Sequence, residues 1–328
     1  MKGAQSAEFS VKSAQPARVH VEILLATCNS AEFLPELLES LLSQTETDFH
    51  LMVSDDCSGD TTVNILESYA DRFRHPVHII RRDRPSGSAA ANFASLLQAS
   101  RGDFVFLCDA DDVWHPNKLT LFLERAIALQ MAGGDQEPLF LFSDADVIDA
   151  TGVKTHESYW AFKNTAPERC LKLSRLLVCT PMIGCATLMN RALVELARNV
   201  PLDKVTGHDW WALLVAAGFG KVDYLPEKTI SYRIHAQNSS KPLQVSLSQA
   251  GRMRRMTYEV RRRLAIRRKQ AAPLLEQFGD RLPQETRRTI ERFLALEHQS
   301  FISRRLTMFL HGYSYPDRLR NLALLLFS

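Results

Sequence analysis

The sequence predicts an α/β fold in which a mostly parallel sheet is wound with helices. Between residues 20 and 148, apolar runs of strand length alternate with segments whose apolar residues recur at helical spacing. The apolar run at 104–108 is followed directly by Asp109, Asp111 and Asp112. An uninterrupted apolar run indicates a central strand buried on both faces, and ligands bind beyond the carboxyl ends of such strands. The three carboxylates are therefore expected at a ligand-binding edge.

The first part of the chain predicts three strand–helix cycles before the acidic strand. Apolar and β-branched residues predict the strands, helical spacing predicts the helices, and the polar run at 55–60 predicts the turn between the second strand and its helix. The predicted strands are 20–27, 50–54, 77–81 and 104–108, and the predicted helices are 31–42, 61–73 and 89–99.

The second part of the chain is less regular and ends in helices. A helix is predicted from Pro116 to about Met131, a strand at 139–148, and a helix, loop, strand and helix within 170–200. A short helix starts near Thr206, and two late strands follow at 221–225 and 229–234. From about residue 246 the chain is helical and rich in arginine. We therefore predict a polar tail at 1–18, a catalytic domain at 19–240 and a basic helical region at 241–328.

Composition and charge indicate a globular protein with two unlike parts. Of the 328 residues, 45% are hydrophobic and 23% are charged, as in ordinary soluble domains. Residues 241–328 hold 18 Lys and Arg against 7 Asp and Glu, whereas residues 1–240 hold 22 against 30. No apolar segment of signal-peptide type is seen in residues 1–18, and the six cysteines lack the spacing of a zinc site. A cytoplasmic protein with reduced thiols is expected.

The acidic strand end indicates a divalent cation that carries phosphates. Carboxylates this close together repel one another unless a cation lies among them, and their hard oxygen atoms suit Mg²⁺ or Mn²⁺. Asp144 and Asp146 stand in a similar setting within the next predicted strand, and we assign them no role. Three polar clusters at the ends of successive strands together favour a nucleotide ligand.

The order of these clusters resembles the family 2 glycosyltransferases of GT-A fold, over roughly residues 19–240. The matching motifs are Ile23-Leu-Leu-Ala-Thr-Cys-Asn, Val53-Ser-Asp-Asp-Cys-Ser-Gly-Asp, Asn92, Asp109-Ala-Asp-Asp, Gly207-His-Asp-Trp-Trp and Tyr232-Arg-Ile-His-Ala-Gln-Asn. Two positions depart from the common pattern, with Cys28 where an aromatic residue is frequent and Cys57 where glycine is frequent. The last motif and the basic tail most resemble rhamnosyltransferase-like members.

The resemblance implies a role for each matching residue. Thr27, Asn29, Asp56, Asn92 and Asp109 would bind the nucleotide-sugar, with the Asp56 carboxylate facing the imide N–H of a pyrimidine.

The same resemblance implies the chemistry. Asp111 and His235 would hold the divalent cation, Mn²⁺ or Mg²⁺, that bridges the diphosphate of a dTDP- or UDP-sugar. Asp209 would be the general base for inverting transfer to a hydroxyl of a glycan or lipid-linked acceptor. Trp210 and Trp211 would form a platform for a sugar or pack the base in place.

Simpler interpretations compete with these roles. Asp55 and Asp56 are also ordinary helix-capping residues, Asp209 lies where a carboxylate is stabilised by the start of a helix, and a single His235 is commonly a surface residue. Two other functions stay open. The protein could be a haloacid dehalogenase-like phosphatase with Asp109 as its nucleophile, although three strands precede Asp109 here. Alternatively, the protein could bind nucleotide-sugars without catalysis.

The basic C-terminal region predicts a membrane contact. Its arginines are also explained by the solvated face of amphipathic helices. Together with the apolar residues at 322–327, they suit peripheral binding to an anionic membrane through residues 252–328, at the inner face of the cytoplasmic membrane. No nucleic acid partner is expected, because no recognised module accompanies the charge and the catalytic half is acidic.

Overall fold

The computed structural model describes residues 19–134, 136–236 and 249–327. These residues form nine strands and twelve α-helices. The strands are β1 (Val21–Thr27), β2 (Phe49–Asp55), β3 (His78–Arg81), β4 (Phe104–Asp109), β5 (Val113–Trp114), β6 (Leu139–Asp149), β7 (Lys154–His156), β8 (Thr187–Asn190) and β9 (Lys221–Ile234). The predicted tail at 1–18 and the predicted domain boundary near 241 lie outside the described residues.

The helices follow the strands through the first part of the chain and then dominate the last part. They are α1 (Leu34–Leu42), α2 (Thr62–Ala70), α3 (Ala89–Ala99), α4 (Lys118–Gly133), α5 (Tyr159–Phe162), α6 (Leu173–Leu176), α7 (Arg191–Ala197), α8 (His208–Phe219), α9 (Gln249–Phe278), α10 (Gln284–Ala295), α11 (Phe301–His311) and α12 (Arg318–Phe327). Single 3₁₀ turns lie at Pro167–Arg169, Gly184–Ala186, Gly279–Arg281 and Leu296–His298. None of the helices in the described ranges is both long and apolar enough to cross a bilayer.

All nine strands belong to one mixed sheet. The order is β3-β2-β1-β4-β8-β6-β9-β5, and β7 pairs with β6. The long pairings among β1 to β4 and between β6 and β9 are parallel. The antiparallel pairings of β4 with β8, β5 with β9, β6 with β7 and β6 with β8 each join only two or three residues. The predicted α/β fold with a mostly parallel sheet is confirmed.

The two late strands of the prediction are one strand, β9. Its pairing with β6 shifts register between Leu225 and Ile230, opposite Ser143 and Asp144. Pro226 lies in this irregularity and has no N–H to donate to the ladder, so the strand continues through a bulge instead of ending. The prediction of two strands at 221–225 and 229–234 was therefore wrong, and the length of β9 carries its end to the carboxyl end of β4.

Buried apolar layers cover both faces of the sheet. Because side chains alternate along a strand, Ile23 and Leu25 join one layer with α1 and α4, whereas Leu24 joins the other layer with α3, α7 and α8. The C-terminal helices belong to this second layer, through residues such as Phe278 and Phe293. The predicted C-terminal helical region thus packs on α8 within a shared core.

We expect Gly220→Ala to destabilise the protein, because the chain approaches Pro138 too closely for a side chain. A Cβ at Gly220 would lie 2.1 Å from the Pro138 carbonyl oxygen, which also accepts a hydrogen bond from the Lys221 amide. The backbone must move, at a cost of about 1–3 kcal/mol of unfolding free energy, measurable by urea denaturation. Gly218→Ala is the control, because its Cβ would lie 3.4 Å from Thr286 Cγ2, an ordinary contact. Equal loss in both variants would contradict this account.

Candidate active site

The acidic turn after β4 is partly buried, and its carboxylates repel one another. Asp109 ends β4, and Asp111 and Asp112 form the turn before β5. Asp112 is 1% exposed. Its Oδ1 accepts a hydrogen bond from the Arg233 amide at 2.9 Å and its Oδ2 accepts one from Cys185 Sγ at 2.6 Å. Burial raises the pKa of Asp112 well above its usual range, and Asp111 and Asp109 raise it further. This end of β4 therefore concentrates negative charge in a poorly solvated place.

The end of β9 brings His235 to this turn. His235 Nε2 lies 2.8 Å from Asp111 Oδ2, and its ring lies 4.9 Å from the ring of Phe33. The two predicted metal-binding residues, which are 124 positions apart in the chain, are thus adjacent. Both side chains keep some exposure, 11% for His235 and 26% for Asp111, so a ligand can reach them.

A buried arginine fastens the end of β9 to the acidic turn. The side chain of Arg233 is 1% exposed, and its Nε donates to the Asp111 carbonyl oxygen at 2.7 Å. Its Nη1 donates to the carbonyls of Asp149 and Ala150, and its Nη2 forms an ion pair with Glu36 at 2.5 Å. Sequence reasoning assigned Arg233 no role, because an arginine one residue before a strand end carries no signal of burial.

A second cation, Lys118, is buried beside the same carboxylates. It is fully buried at the start of α4. Its Nζ donates to the Cys185 carbonyl oxygen at 2.5 Å and lies 3.4 Å from the centre of the Trp114 ring. Burial lowers the pKa of Lys118 to about 8, while Cys185, Cys108, Asp112 and Asp109 oppose that change. The sequence pattern missed it, because a lysine in the first turn of a helix ordinarily faces solvent.

Asp209 faces the acidic turn from a different element, the first turn of α8. Burial raises the pKa of Asp109 to about 7, with further contributions from Asp111 and Asp209. Two glycines make room for the Asp209 carboxylate: a Cβ at Gly184 would lie 2.9 Å from its Oδ2, and a Cβ at Gly207 would lie 2.6 Å from its Oδ1. The predicted general base thus shares an electrostatic environment with the carboxylates after β4.

The two tryptophans that follow Asp209 have different surroundings. Trp211 is fully buried, donates from Nε1 to the Ala197 carbonyl at 3.0 Å, and stacks on Phe278 of α9. It is a core residue, so the hypothesis of a sugar platform is wrong for Trp211. Trp210 is half-buried, and the Arg267 guanidinium lies 5.1 Å from the centre of its ring.

The loop before Asp209 is held by the C-terminal helix α9. Gln270 is fully buried. Its Oε1 accepts hydrogen bonds from the Thr206 amide at 2.7 Å and the Thr206 hydroxyl at 3.0 Å, and its Nε2 donates to the Gly207 carbonyl at 3.2 Å. The side-chain amide therefore fixes the backbone that leads into Asp209. A contact between residues 63 positions apart leaves no periodic pattern in the sequence.

The predicted nucleotide residues line the ends of β1 and β2, and they differ in exposure. Asp56 accepts two hydrogen bonds from Ser86, at 2.6 Å from the amide and 2.8 Å from the hydroxyl. Asn29 is exposed, and its Oδ1 accepts from the Gly59 amide at 2.8 Å.

Thr27 and Asn92 lie inside the protein at the same edge. Each is 2% exposed. Thr27 donates its hydroxyl to Asp55, and Asn92 donates from Nδ2 to the Ser54 carbonyl. They support the ends of β1 and β2 from within.

The loop after β2 explains why glycine is frequent at the position of Cys57. Its φ is +59°, in the left-handed region that disfavours residues with a side chain. The thiol Sγ lies 3.0 Å from the Arg82 carbonyl oxygen, to which it donates. This contact offsets part of the strain at a position where the family pattern prefers glycine.

The acidic turn fits a divalent cation. Ligand atoms of Asp109, Asp112 and Cys185 lie within 4.8 Å of one another. However, burial raises the pKa of the Cys185 thiol well above its usual range, and a protonated thiol is a poor ligand for a hard cation. Asp111 and His235, together with Asp109, offer the carboxylate oxygens and imidazole nitrogen that suit Mn²⁺ or Mg²⁺.

Known proteins share both the sequence pattern and the fold. The pattern of the family described as glycosyl transferase family 2 matches residues 22–131. An uncharacterized protein of Mycobacterium tuberculosis is 28% identical over 225 residues, which are 66% of this chain and 59% of that protein. The dTDP-rhamnosyl transferase RfbG of Shigella flexneri is 23% identical over 220 residues, which are 65% of this chain and 72% of RfbG.

A solved structure, Staphylococcus aureus TarS in complex with UDP, superimposes with a TM-score of 0.54 at 21% identity and covers 84% of this chain and 70% of that one. This likeness confirms the predicted GT-A fold. The chain spans only 59% of the length of the mycobacterial relative. The sequence match therefore identifies a glycosyl transferase family 2 region at residues 22–131 of this chain.

Proposed function

We propose that this protein transfers a sugar from a nucleoside diphosphate donor to an acceptor hydroxyl, with inversion at the anomeric carbon. The observation that carries the proposal is the meeting of three segments of the chain. The Asp111–His235 pair joins the ends of β4 and β9 at 2.8 Å, and Asp209 of α8 raises the pKa of Asp109 on the same turn. The proposed donor-phosphate site and the proposed base thus adjoin one another.

The donor is a pyrimidine nucleotide sugar, either a UDP- or a dTDP-sugar. Each oxygen of the Asp56 carboxylate accepts one hydrogen bond from Ser86, which leaves lone pairs for the imide N–H of uracil or thymine. Asn29 and Asp109 complete the donor contacts, while Thr27 and Asn92 support the strand ends behind them. The named relatives agree with this choice, since RfbG is a dTDP-rhamnosyl transferase and TarS was solved with UDP. Rhamnose is the sugar that we favour.

Asp111 and His235 would hold a divalent cation, Mn²⁺ or Mg²⁺, with Asp109 beside them. When bound, such an ion supplies positive charge that stabilises the diphosphate as it leaves. The buried Lys118 does not replace it, because its Nζ is held by the Cys185 carbonyl.

Asp209 accepts the proton from the acceptor hydroxyl. The hydroxyl oxygen forms a bond to the anomeric carbon on the face opposite the diphosphate, and the bond from that carbon to the phosphate oxygen breaks with its electron pair. The products are a glycoside of inverted configuration, a nucleoside diphosphate and a protonated Asp209. The acceptor that we propose is a glycan or lipid-linked oligosaccharide of a surface polysaccharide.

Two other functions are less well supported. The match of residues 22–131, which include Asp109, to glycosyl transferase family 2 disfavours a phosphatase in which Asp109 attacks phosphorus. A protein that binds nucleotide-sugars without catalysis would have no need of the room that Gly184 and Gly207 leave for the Asp209 carboxylate.

We expect the purified protein to release nucleoside diphosphate slowly from one UDP- or dTDP-sugar, and to stop when EDTA removes the cation. Slow release is expected because water replaces the missing acceptor at the same site. A coupled assay over a panel of UDP-, dTDP- and GDP-sugars measures the release and identifies the sugar. Hydrolysis of a simple phosphomonoester without release from any donor would support the phosphatase instead.

Asp209→Asn should lower the turnover of transfer by about 10²–10⁴-fold, because the amide cannot accept the acceptor proton. Donor binding, measured by calorimetry with the nucleoside diphosphate, should stay within about twofold, since the base does not hold the nucleotide. Asp203→Asn is the matched control, an exposed aspartate six residues earlier in the loop that precedes α8. Unchanged turnover in Asp209→Asn, or equal loss in both variants, would contradict the role of Asp209.

Gln270→Leu should disorder the loop that positions Asp209. The substitution removes three hydrogen bonds and leaves the Thr206 amide without its partner, which costs about 1–3 kcal/mol of unfolding free energy, whereas the Gly207 carbonyl keeps its hydrogen bond from the Trp211 amide. We expect faster hydrogen exchange at the Thr206 amide and lower kcat with little change in the KM for the donor. Lys269→Ala, an exposed change on the same helix, should leave the exchange rate, kcat and KM unaltered. Loss of stability with normal kcat would restrict Gln270 to a purely structural role.

A further inference from the structure

Helices α11 and α12 expose a set of large apolar side chains that the other described residues leave uncovered. Their exposed fractions run from 53% to 77%. This α11–α12 apolar face consists of Phe301, Ile302, Leu306, Phe309, Leu310, Leu322 and Leu326. Single exposed apolar residues are ordinary, but a set of seven on two adjacent helices indicates an interaction surface.

Most of the exposed apolar side chains of α11 lie on one side of that helix. On α11, residues 302, 306 and 309 are three or four positions apart and therefore lie on one side of the helix, whereas Met308 is 1% exposed and points into the core. Arg305 Nη2 donates to the Leu326 carbonyl oxygen at 2.9 Å, which holds α12 beside α11. The end of α12 that carries Leu326 thus lies near α11.

Arginines adjoin this surface. The Arg305 guanidinium lies over the Phe301 ring. Partial burial lowers the pKa of Arg305, and the nearby charges of Arg304 and Arg261 lower it further. Residues 301–327 contain four arginines and one acidic residue, Asp317. Like charges held this close repel one another, and an anionic surface would relieve that repulsion.

We propose that the α11–α12 apolar face docks on an anionic membrane surface, with its apolar side chains among the acyl chains and the neighbouring arginines at the lipid headgroups. Amphipathic helices that combine apolar and basic side chains bind membranes in this way. A second copy of the chain is a poorer occupant, because a symmetric contact would bring the two arginine clusters together. This proposal goes beyond the proposed transfer reaction and stands whether or not that reaction is correct.

The test is co-sedimentation of the full chain with phosphatidylcholine vesicles that contain or lack phosphatidylglycerol. We expect binding to the anionic vesicles, weaker binding as salt is added, and little binding to phosphatidylcholine alone. Ile302→Ser combined with Phe309→Ser should weaken binding at least about tenfold, because both side chains are 77% exposed and available for burial in lipid. These changes lie on the surface and should leave the fold intact, as checked by circular dichroism.

Two further variants test the contribution of charge to binding and the specificity of the apolar face. Arg261→Gln should weaken binding about fivefold and reduce its salt dependence, because one basic residue near the lipid surface is lost. Met131→Ser is the matched control, an apolar residue 85% exposed on α4, away from α11 and α12, and it should bind as the unmodified chain does.

Two results would overturn the proposal. One is the absence of binding to anionic vesicles. The other is a dimer seen by light scattering that the Ile302→Ser and Phe309→Ser changes dissociate, because the α11–α12 apolar face would then be an interface between copies.

Discussion

The buried guanidinium of Arg233 is the constraint on which the candidate site depends. A cation without solvent must have its donors paired, and Arg233 meets this requirement by binding three backbone carbonyls and Glu36. Those partners come from the acidic turn after β4, the turn after β6 and helix α1. The end of β9 can therefore occupy only one position, and His235, two residues later, lies against Asp111 as a consequence. The backbone amide of Arg233 also binds Asp112, so one residue fixes two sides of the acidic turn.

Charge balance distinguishes the site from other acidic clusters in the chain. Asp144 and Asp146 resemble the residues after β4 in sequence, and both are buried. Asp144 accepts from the Trp160 amide at 3.0 Å, and Asp146 pairs with Lys228 at 2.9 Å and Lys154 at 3.1 Å, so their charges are compensated within the protein. At the carboxyl end of β4, burial and mutual repulsion instead raise the pKa values of Asp109 and Asp112. Carboxyl groups whose pKa values are raised in this way are a feature of ligand sites.

The sequence predicted the first four strands and their helices, because strand and helix periodicity are local signals, whereas the family resemblance implied that Asp111 and His235 lie together. The sequence did not predict that Trp211 is a core residue or that β9 is continuous. Both depend on partners far along the chain, Phe278 in the first case and the bulged pairing with β6 in the second. Lys118 and Gln270 were missed for the same reason. Each is a polar residue whose burial is decided by tertiary packing, and a helix pattern alone assigns it to solvent.

The C-terminal helices connect the active-site loop to the α11–α12 apolar face. Gln270 of α9 binds the backbone before Asp209, and Phe278 of α9, Met308 of α11 and Leu324 of α12 belong to the same buried layer as α8. Because close-packed interiors transmit displacement with little compliance, a surface that binds α11 and α12 would also orient α8. Membrane docking through that face would therefore hold Asp209 at a constant height above the lipid. Such an arrangement suits an acceptor that is itself anchored in the membrane.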